Sequence, residues 1–389
     1  MTIGIPRRQA LAEALRSAGG DPARARVFRA PGRINLLGEH TDYNHGFVLP
    51  AAIDLDVAIA AVAESGVFLA VSAQMEGQAV FDPESPRLSG DSWGSYLQGV
   101  AWSLSQYTGR VGGIRAGVHS TVPVGSGLSS SAALEVATGL ALSLLAGHAV
   151  AKEALAAACL RAERQWVGVN CGPMDQWASV FGQRDSVILL DCRTMDIETV
   201  HLPEGLCLAV VDSGTPRTLA EGGYNRRRSE CEQAARLLGV PALRDVGEAD
   251  IGELPEPLLR RARHVVRENA RVMEGVNALR AGDTGLLGEL IDASHESLRA
   301  DFEVSTPELD AAAAACRTCP GVLGARMVGG GFGGSVMAVA WADAVDALPE
   351  RMERLGFSGL RVVRASEGAG EVVGGLEGLE GGDPPLGCR

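Results

Sequence analysis

The sequence predicts an α+β fold in two lobes, and three observations carry that expectation. Runs of helical periodicity and runs of strand-like alternation both occur, without the steady βα alternation of a doubly wound sheet. A length of 389 residues suits two domains of ordinary size. A hydrophobic fraction of 46% supplies enough apolar surface for real cores.

In chain order, residues 6–19 place Leu11, Ala14, Leu15 and Ala18 at helical spacing and stop at Gly19-Gly20. Val27, Phe28 and Ala30 read as a strand running into a turn at Pro31-Gly32. Residues 47–63 are β-branched and partly alternating, as strands of a half-buried sheet are. Residues 91–107 set Trp93, Tyr96, Leu97, Val100 and Leu104 on one side of a helix, and 114–122 alternate again. A glycine and serine loop at 123–131 feeds a helix to about Leu145, followed by one from about Val150 to Trp166. Residues 186–191 and 206–212 read as buried strands. The region 224–318 reads as mostly helical, with breaks at Pro241, Pro255 and Pro307. A glycine loop at 329–334 precedes a strand at 335–341. The expected boundaries are an N-terminal domain at 1–195, a C-terminal domain at 196–373, and a loose tail rich in Gly, Pro and Glu at 374–389. No internal repeat is visible.

The formal net charge of -13 argues against nucleic acid and anionic membrane as partners. The first twenty residues lack an apolar core of signal-peptide length, and the apolar stretch at 136–146 is too short for a span. A cytoplasmic monomer is expected. Of the eight cysteines only Cys316 and Cys319 form a CxxC, so reduced thiols are expected instead of a zinc site. Lys152 is the only lysine and the pattern GxxxxGK[ST] is absent, which excludes a P-loop.

Four clusters carry chemistry. Arg33, Glu39, His40 and Asp42 fall within ten residues. Carboxylates accept strongly from sugar hydroxyls, and an arginine can stabilise charge on a transferring phosphoryl group. A charged loop with a surface ion pair is the plainer account of the same residues. The loop VPVGSGLSSSAAL offers backbone N–H groups and a helix start to an anion, although serine is also simply a good N-cap. Glu163 shares a helix face with Ala156, Cys159 and Leu160, so it needs an arginine, a metal or a raised pKa. Asp175 lies where a new helix begins, a position the helix dipole favours for an acid. Arg226 to Arg228 read as an exposed helix turn.

GRINLLGEHTDYNHG resembles the hallmark segment of the galactokinases, with Leu37 at a position more often isoleucine there. The serine loop resembles the phosphate-binding motif of the wider GHMP kinases. CGPMDQ, DSGTPRTLAEGGY and GGGFGGS resemble further segments of that family, in order, between about Arg29 and Ala369. The resemblance implies the two-lobed GHMP kinase fold, with mixed sheets and helices and the active site between the lobes. It implies transfer of a phosphoryl group from ATP to the C1 hydroxyl of α-D-galactose, the first committed step of galactose catabolism. On that basis Glu39, His40, Thr41, Asp42, Gly172, Asp175 and Tyr224 would line the sugar, Asp175 would be the base, and Arg33 would stabilise the phosphoryl group. Gly125, Ser126, Gly127, Leu128, Ser129, Ser130 and Ser131 would cradle the phosphates. Ser72 would stand near adenine, with Trp93 and Tyr96 either beside it or packed in the core, and Ser131 and Glu163 would hold Mg²⁺. Two rivals remain: a kinase of N-acetylgalactosamine or arabinose, decided by pocket size at C2, and a catalytically silent sensor of sugar and ATP. The intact SSSAA run and the full set of acids weigh against the sensor.

Overall fold

The computed structural model describes residues 7–87, 93–215 and 220–379. Outside them lie residues 91–92 of a predicted helix, 216–219 of the segment before Tyr224, and 380–389 of the predicted tail.

Helix α1 (Arg7–Ser17) buries Leu11 and Leu15, the apolar face its spacing predicts. Strand β1 (Arg26–Asn35) then runs straight through Pro31-Gly32, where a turn was expected. A bulge between Pro31 and Arg33 explains this, because Pro31 has no N–H to give to the ladder. Gly32 is needed at the bulge: a Cβ there would lie 2.6 Å from the Leu128 carbonyl. Strands β2 (Phe47–Val48) and β3 (Pro50–Glu64) fill the predicted span. The hairpin β4 (Phe68–Ser72) and β5 (Gln78–Phe81) was not foreseen. Helix α2 (Gly94–Thr108), strand β6 (Gly113–Ser120) and helix α3 (Ser130–Leu145) follow as read. The next helix, α4 (Lys152–Arg161), widens into a π-helical turn at Ala162–Val167, short of the regular helix expected to Trp166. Helix α5 (Met174–Phe181) follows.

Strands β7 (Ser186–Asp191), β8 (Ile197–His201) and β9 (Leu206–Asp212) lead to four helices, α6 (Ala220–Leu238), α7 (Leu258–Ala281), α8 (Thr284–Ala300) and α9 (Pro307–Arg317). Asp283 and Thr306 cap α8 and α9 by accepting from Leu286 N and Leu309 N, and Pro307 opens α9. Strands β10 (Val322–Val328) and β11 (Ser335–Trp341) flank the glycine loop. Short helices α10 (Ala342–Val345) and α11 (Leu348–Arg354) and strands β12 (Arg361–Val363) and β13 (Gly370–Glu371) complete the described chain.

Three sheets result, ordered β13-β1-β3-β6-β4-β5, β10-β11-β9-β12 and β2-β7-β8. Among the described residues only the β4–β6 pair is parallel. Helices α2 to α5 cover one face of the six-stranded sheet, sharing a core with Phe28, Ile59 and Ile114. Leu11 and Leu15 of α1 pack with Val27, Ala58 and Ala60, whose side chains point the other way. A second core joins α6, α7 and α9 to the four-stranded sheet through Val265, Leu309 and Met327. A third joins the two halves: Ile34, Leu36 and Leu37 meet Val272, Val276, Met337 and Val339. Gly275 lets α7 lie against that seam, since a Cβ there would meet Leu37 Cδ1 at 2.4 Å.

The predicted tail is anchored at its start. Gly375–Gly378 form a tight turn, and Leu379 packs with Leu11 and Leu15. Among the described residues six cysteines, including Cys316 and Cys319, are free thiols. No helix among the described residues is long and apolar enough to cross a membrane.

Candidate active site

The serine loop turns on Gly125 and Gly127, both with positive φ, and delivers Ser129 in the left-handed region at φ 63°. That strained residue aims its hydroxyl at Asp175, donating to Oδ2 at 2.6 Å. Ser130 and Ser131 then open α3, whose first N–H groups lack intrahelical acceptors and favour an anion. Ser126 donates to the Pro123 carbonyl within the loop. Leu128 turns its side chain into the seam between the halves and gives its carbonyl to Arg33 N at 3.0 Å.

Asp175 stands in the first turn of α5, with its side chain 23% exposed and so within reach of a ligand. Arg33, aimed by the β1 bulge, donates from Nε to Asp175 Oδ1 at 2.8 Å and from Nη1 to the Gly127 carbonyl at 2.5 Å. Burial alone would favour a neutral guanidinium, but Asp175 and Glu39 outweigh it and keep Arg33 charged. One carboxylate is thus tied both to the phosphate-type loop and to an arginine from the opposite strand.

The segment after β1 curls back on itself through Gly38 and His40, both at positive φ. Thr41 Oγ1 lies 2.7 Å from the Gly38 carbonyl and 2.6 Å from that of Phe47, so its one proton is used inside the curl. Glu39 Oε1 accepts from Gly329 N at 2.8 Å. His40 Nδ1 pairs with Tyr43 Oη at 2.8 Å, and its ring packs on Tyr224 with centroids 5.4 Å apart. Asp42 and Gly172 are in direct contact: a Cβ on Gly172 would fall 2.0 Å from Asp42 Oδ2. Arg33, Glu39, His40, Asp42, Gly172, Asp175 and Tyr224 therefore gather around one place. Arg227, expected on an exposed turn, is buried and donates to the Phe302 carbonyl at 2.6 Å, because α6 lies down on that segment.

Burial, then repulsion from Asp175, pushes the Asp42 carboxyl from 3.8 up to about 7, against the pull of Tyr43 N–H. The unfolded chain releases this proton first, so Asp42 erodes stability as pH rises through that window. Asp42→Asn removes the loss while keeping an acceptor for Tyr43 N. Its stability relative to wild type is expected to be about 2 kcal/mol more favourable at about pH 8 than at about pH 5. Urea denaturation at both pH values checks this, and a constant difference refutes it.

Ser131 Oγ lies 3.2 Å from Glu163 Oε1, where the π-helical turn presents that acid. Glu163 is 6% exposed, and its pKa is raised by burial and by Asp175. Its Oε2 accepts from Gln176 Nε2 at 2.6 Å, and the same Gln176 nitrogen reaches Glu135 at 3.1 Å. Gln176 and Glu135 were missed by sequence reasoning. The signal was an acid inside the apolar helix α3, whose partner from α5 sequence spacing does not disclose. Ser72 Oγ accepts from Gln74 N and Met75 N within its own turn. Trp93 packs against the first core.

Three family models match the chain. They are the galactokinase galactose-binding signature over residues 15–63, the GHMP kinases N terminal domain over 95–183, and the GHMP kinases C terminal over 276–356. A galactokinase of Roseiflexus sp. (strain RS-1) is 40% identical over 363 residues, covering 89% of this chain and 93% of the relative. The structure of Lactococcus lactis galactokinase complexed with galactose matches with a TM-score of 0.88 at 33% identity, over 93% of this chain and 99% of that one. Methanococcus jannaschii mevalonate kinase shares the fold, with a TM-score of 0.67 at 15% identity over 88% of this chain and 98% of that one.

Proposed function

The chain belongs to the galactokinases of the GHMP kinase superfamily, and from that premise we propose that Asp175 is the base in transfer of the ATP γ-phosphoryl group to the C1 hydroxyl of α-D-galactose. The enzyme phosphorylates galactose, with ATP as the donor. The observation that carries the assignment of the base is the double tie of Asp175, to Ser129 of the serine loop and to Arg33.

Asp175 takes the proton of the C1 hydroxyl as its oxygen bonds to the γ-phosphorus. The bond from that phosphorus to the bridging oxygen breaks, and ADP leaves. Arg33 holds Asp175 in place and offers its guanidinium to the charge on the transferring group. Residues 125–131 and the start of α3 bind the phosphates through backbone N–H groups. Asp42, Glu39, His40, Gly172 and Tyr224 surround the sugar, with Thr41 shaping the curl that carries them. Ser72 stands on the adenine side.

Ser131 and Glu163 would hold Mg²⁺: both offer hard oxygen, and Ser131 Oγ and Glu163 Oε1 lie 3.2 Å apart. Held there, the ion would neutralise charge on the substrate phosphates. We take 1–195 and 196–373 as the two lobes, and a cytoplasmic monomer, where ATP is supplied, as the setting.

The test is ADP release over a panel of sugars. Turnover is expected to depend on galactose and to fall at least about tenfold with N-acetylgalactosamine or arabinose, a difference of about 1.4 kcal/mol. Sugar-independent ADP release, or preference for the 2-acetamido sugar, overturns the assignment.

A further inference from the structure

Arg326 sits inside the apolar strand β10 and is 0% exposed. A guanidinium in such a place must have its charge met and its N–H groups bonded. Nη2 donates to Glu39 Oε1 at 3.1 Å and to the Asn35 carbonyl. Nη1 lies 3.5 Å from Ser294 Oγ on α8, and that hydroxyl donates to Glu268 Oε1 at 2.7 Å.

Glu268 on α7 is also 0% exposed. Its Oε1 accepts from Gly38 N at 2.9 Å, and its Oε2 from Arg271 Nε at 2.6 Å. Burial alone would raise its pKa, but Arg271 and Arg326 hold it down at about 2. His264, also on α7, is held at about 4 by burial; a carbonyl can only accept, so Nε2–H donates to the Glu39 carbonyl at 3.0 Å. Three elements of the C-terminal half thus grip segment 35–39 at the Asn35 carbonyl, the Gly38 N–H and both ends of Glu39. Glu39 Oε1 is saturated by Arg326 and Gly329, and Oε2 has no hydrogen-bond partner among the described residues.

We propose that Arg326 and Glu268, linked through Ser294, are positioning residues that set sugar affinity by holding Glu39 so that one carboxylate oxygen stays available to a sugar hydroxyl. The proposal rests on the reading that Glu39 lines the galactose site. A planar fork is required at Arg326, because one side chain serves Asn35, Glu39 and Ser294 at once. A lysine keeps the charge and loses the fork.

The experiment uses the full chain with Arg326→Lys and Ser294→Ala, measuring galactose binding by calorimetry without ATP, KM for each substrate, and the thermal midpoint. Arg326→Lys is expected to weaken galactose binding about tenfold and Ser294→Ala about threefold, with KM for ATP within about twofold. Folded variants that bind galactose as wild type does overturn the proposal. So does parallel loss of galactose and ATP affinity, which marks general loosening. If Arg326→Lys does not fold, Ser294→Ala decides alone. A wild-type chain that binds no galactose overturns the functional reading first, which separates the two failures.

Discussion

Asp175→Asn is expected to lower kcat by at least about three orders of magnitude while the protein stays folded and still binds both substrates. The substitution is close to isosteric. An asparagine oxygen still accepts from Arg33, and its amide still meets Ser129 Oγ, which can accept as well as donate. What disappears is the capacity to take a proton. Single-turnover measurement of galactose 1-phosphate formation, with galactose affinity measured separately, checks the prediction. Near-normal kcat sinks the assignment of the base. A loss confined to KM points instead to a group that only binds.

Glu163→Gln is expected to raise the apparent Mg²⁺ requirement at least about tenfold. The reasoning differs from that for Asp175, because this change is isosteric but not neutral to its neighbours. Glu163 Oε2 accepts from Gln176 Nε2 and from Cys171 Sγ, so an amide nitrogen there would oppose a donor. The glutamine turns to avoid this and places its nitrogen toward Ser131, where an oxygen is needed for the ion. Glu163→Asp, which keeps the charge, is expected to recover part of the loss. A Mg²⁺ titration unchanged in Glu163→Gln refutes the ligand assignment.

Much of this was legible in the chain because its signals are local. The serine loop pairs glycines with a helix start, and the end of β1 with the curl after it concentrates four candidate side chains, Arg33, Glu39, His40 and Asp42, in ten residues. What was not legible depends on sequence-distant pairing. The bulge that aims Arg33 looked like a turn, since Pro-Gly means turn unless a neighbouring backbone presses on the glycine, as the Leu128 carbonyl does. Strands β4, β5, β8 and β10 are short or interrupted by polar residues, and sheet partners outweigh their weak propensity. Arg326 gave a signal that went unread: an arginine between alanine and methionine in an apolar strand demands buried acids. Nothing local points to Glu39, 287 residues away.

The close approach of Gly127 to the end of β10 has a consequence for engineering. A Cβ on Gly127 would lie 2.7 Å from the Val328 carbonyl, and one on Gly329 would lie 2.9 Å from the Gly127 carbonyl. The two glycine loops touch backbone to backbone, with no side chains between them to adjust. Chimeras that swap one half of the chain with a relative must therefore carry both loops from the same parent, or match their backbones to within a few tenths of an ångström. Lengthening either loop by a residue is a change to both.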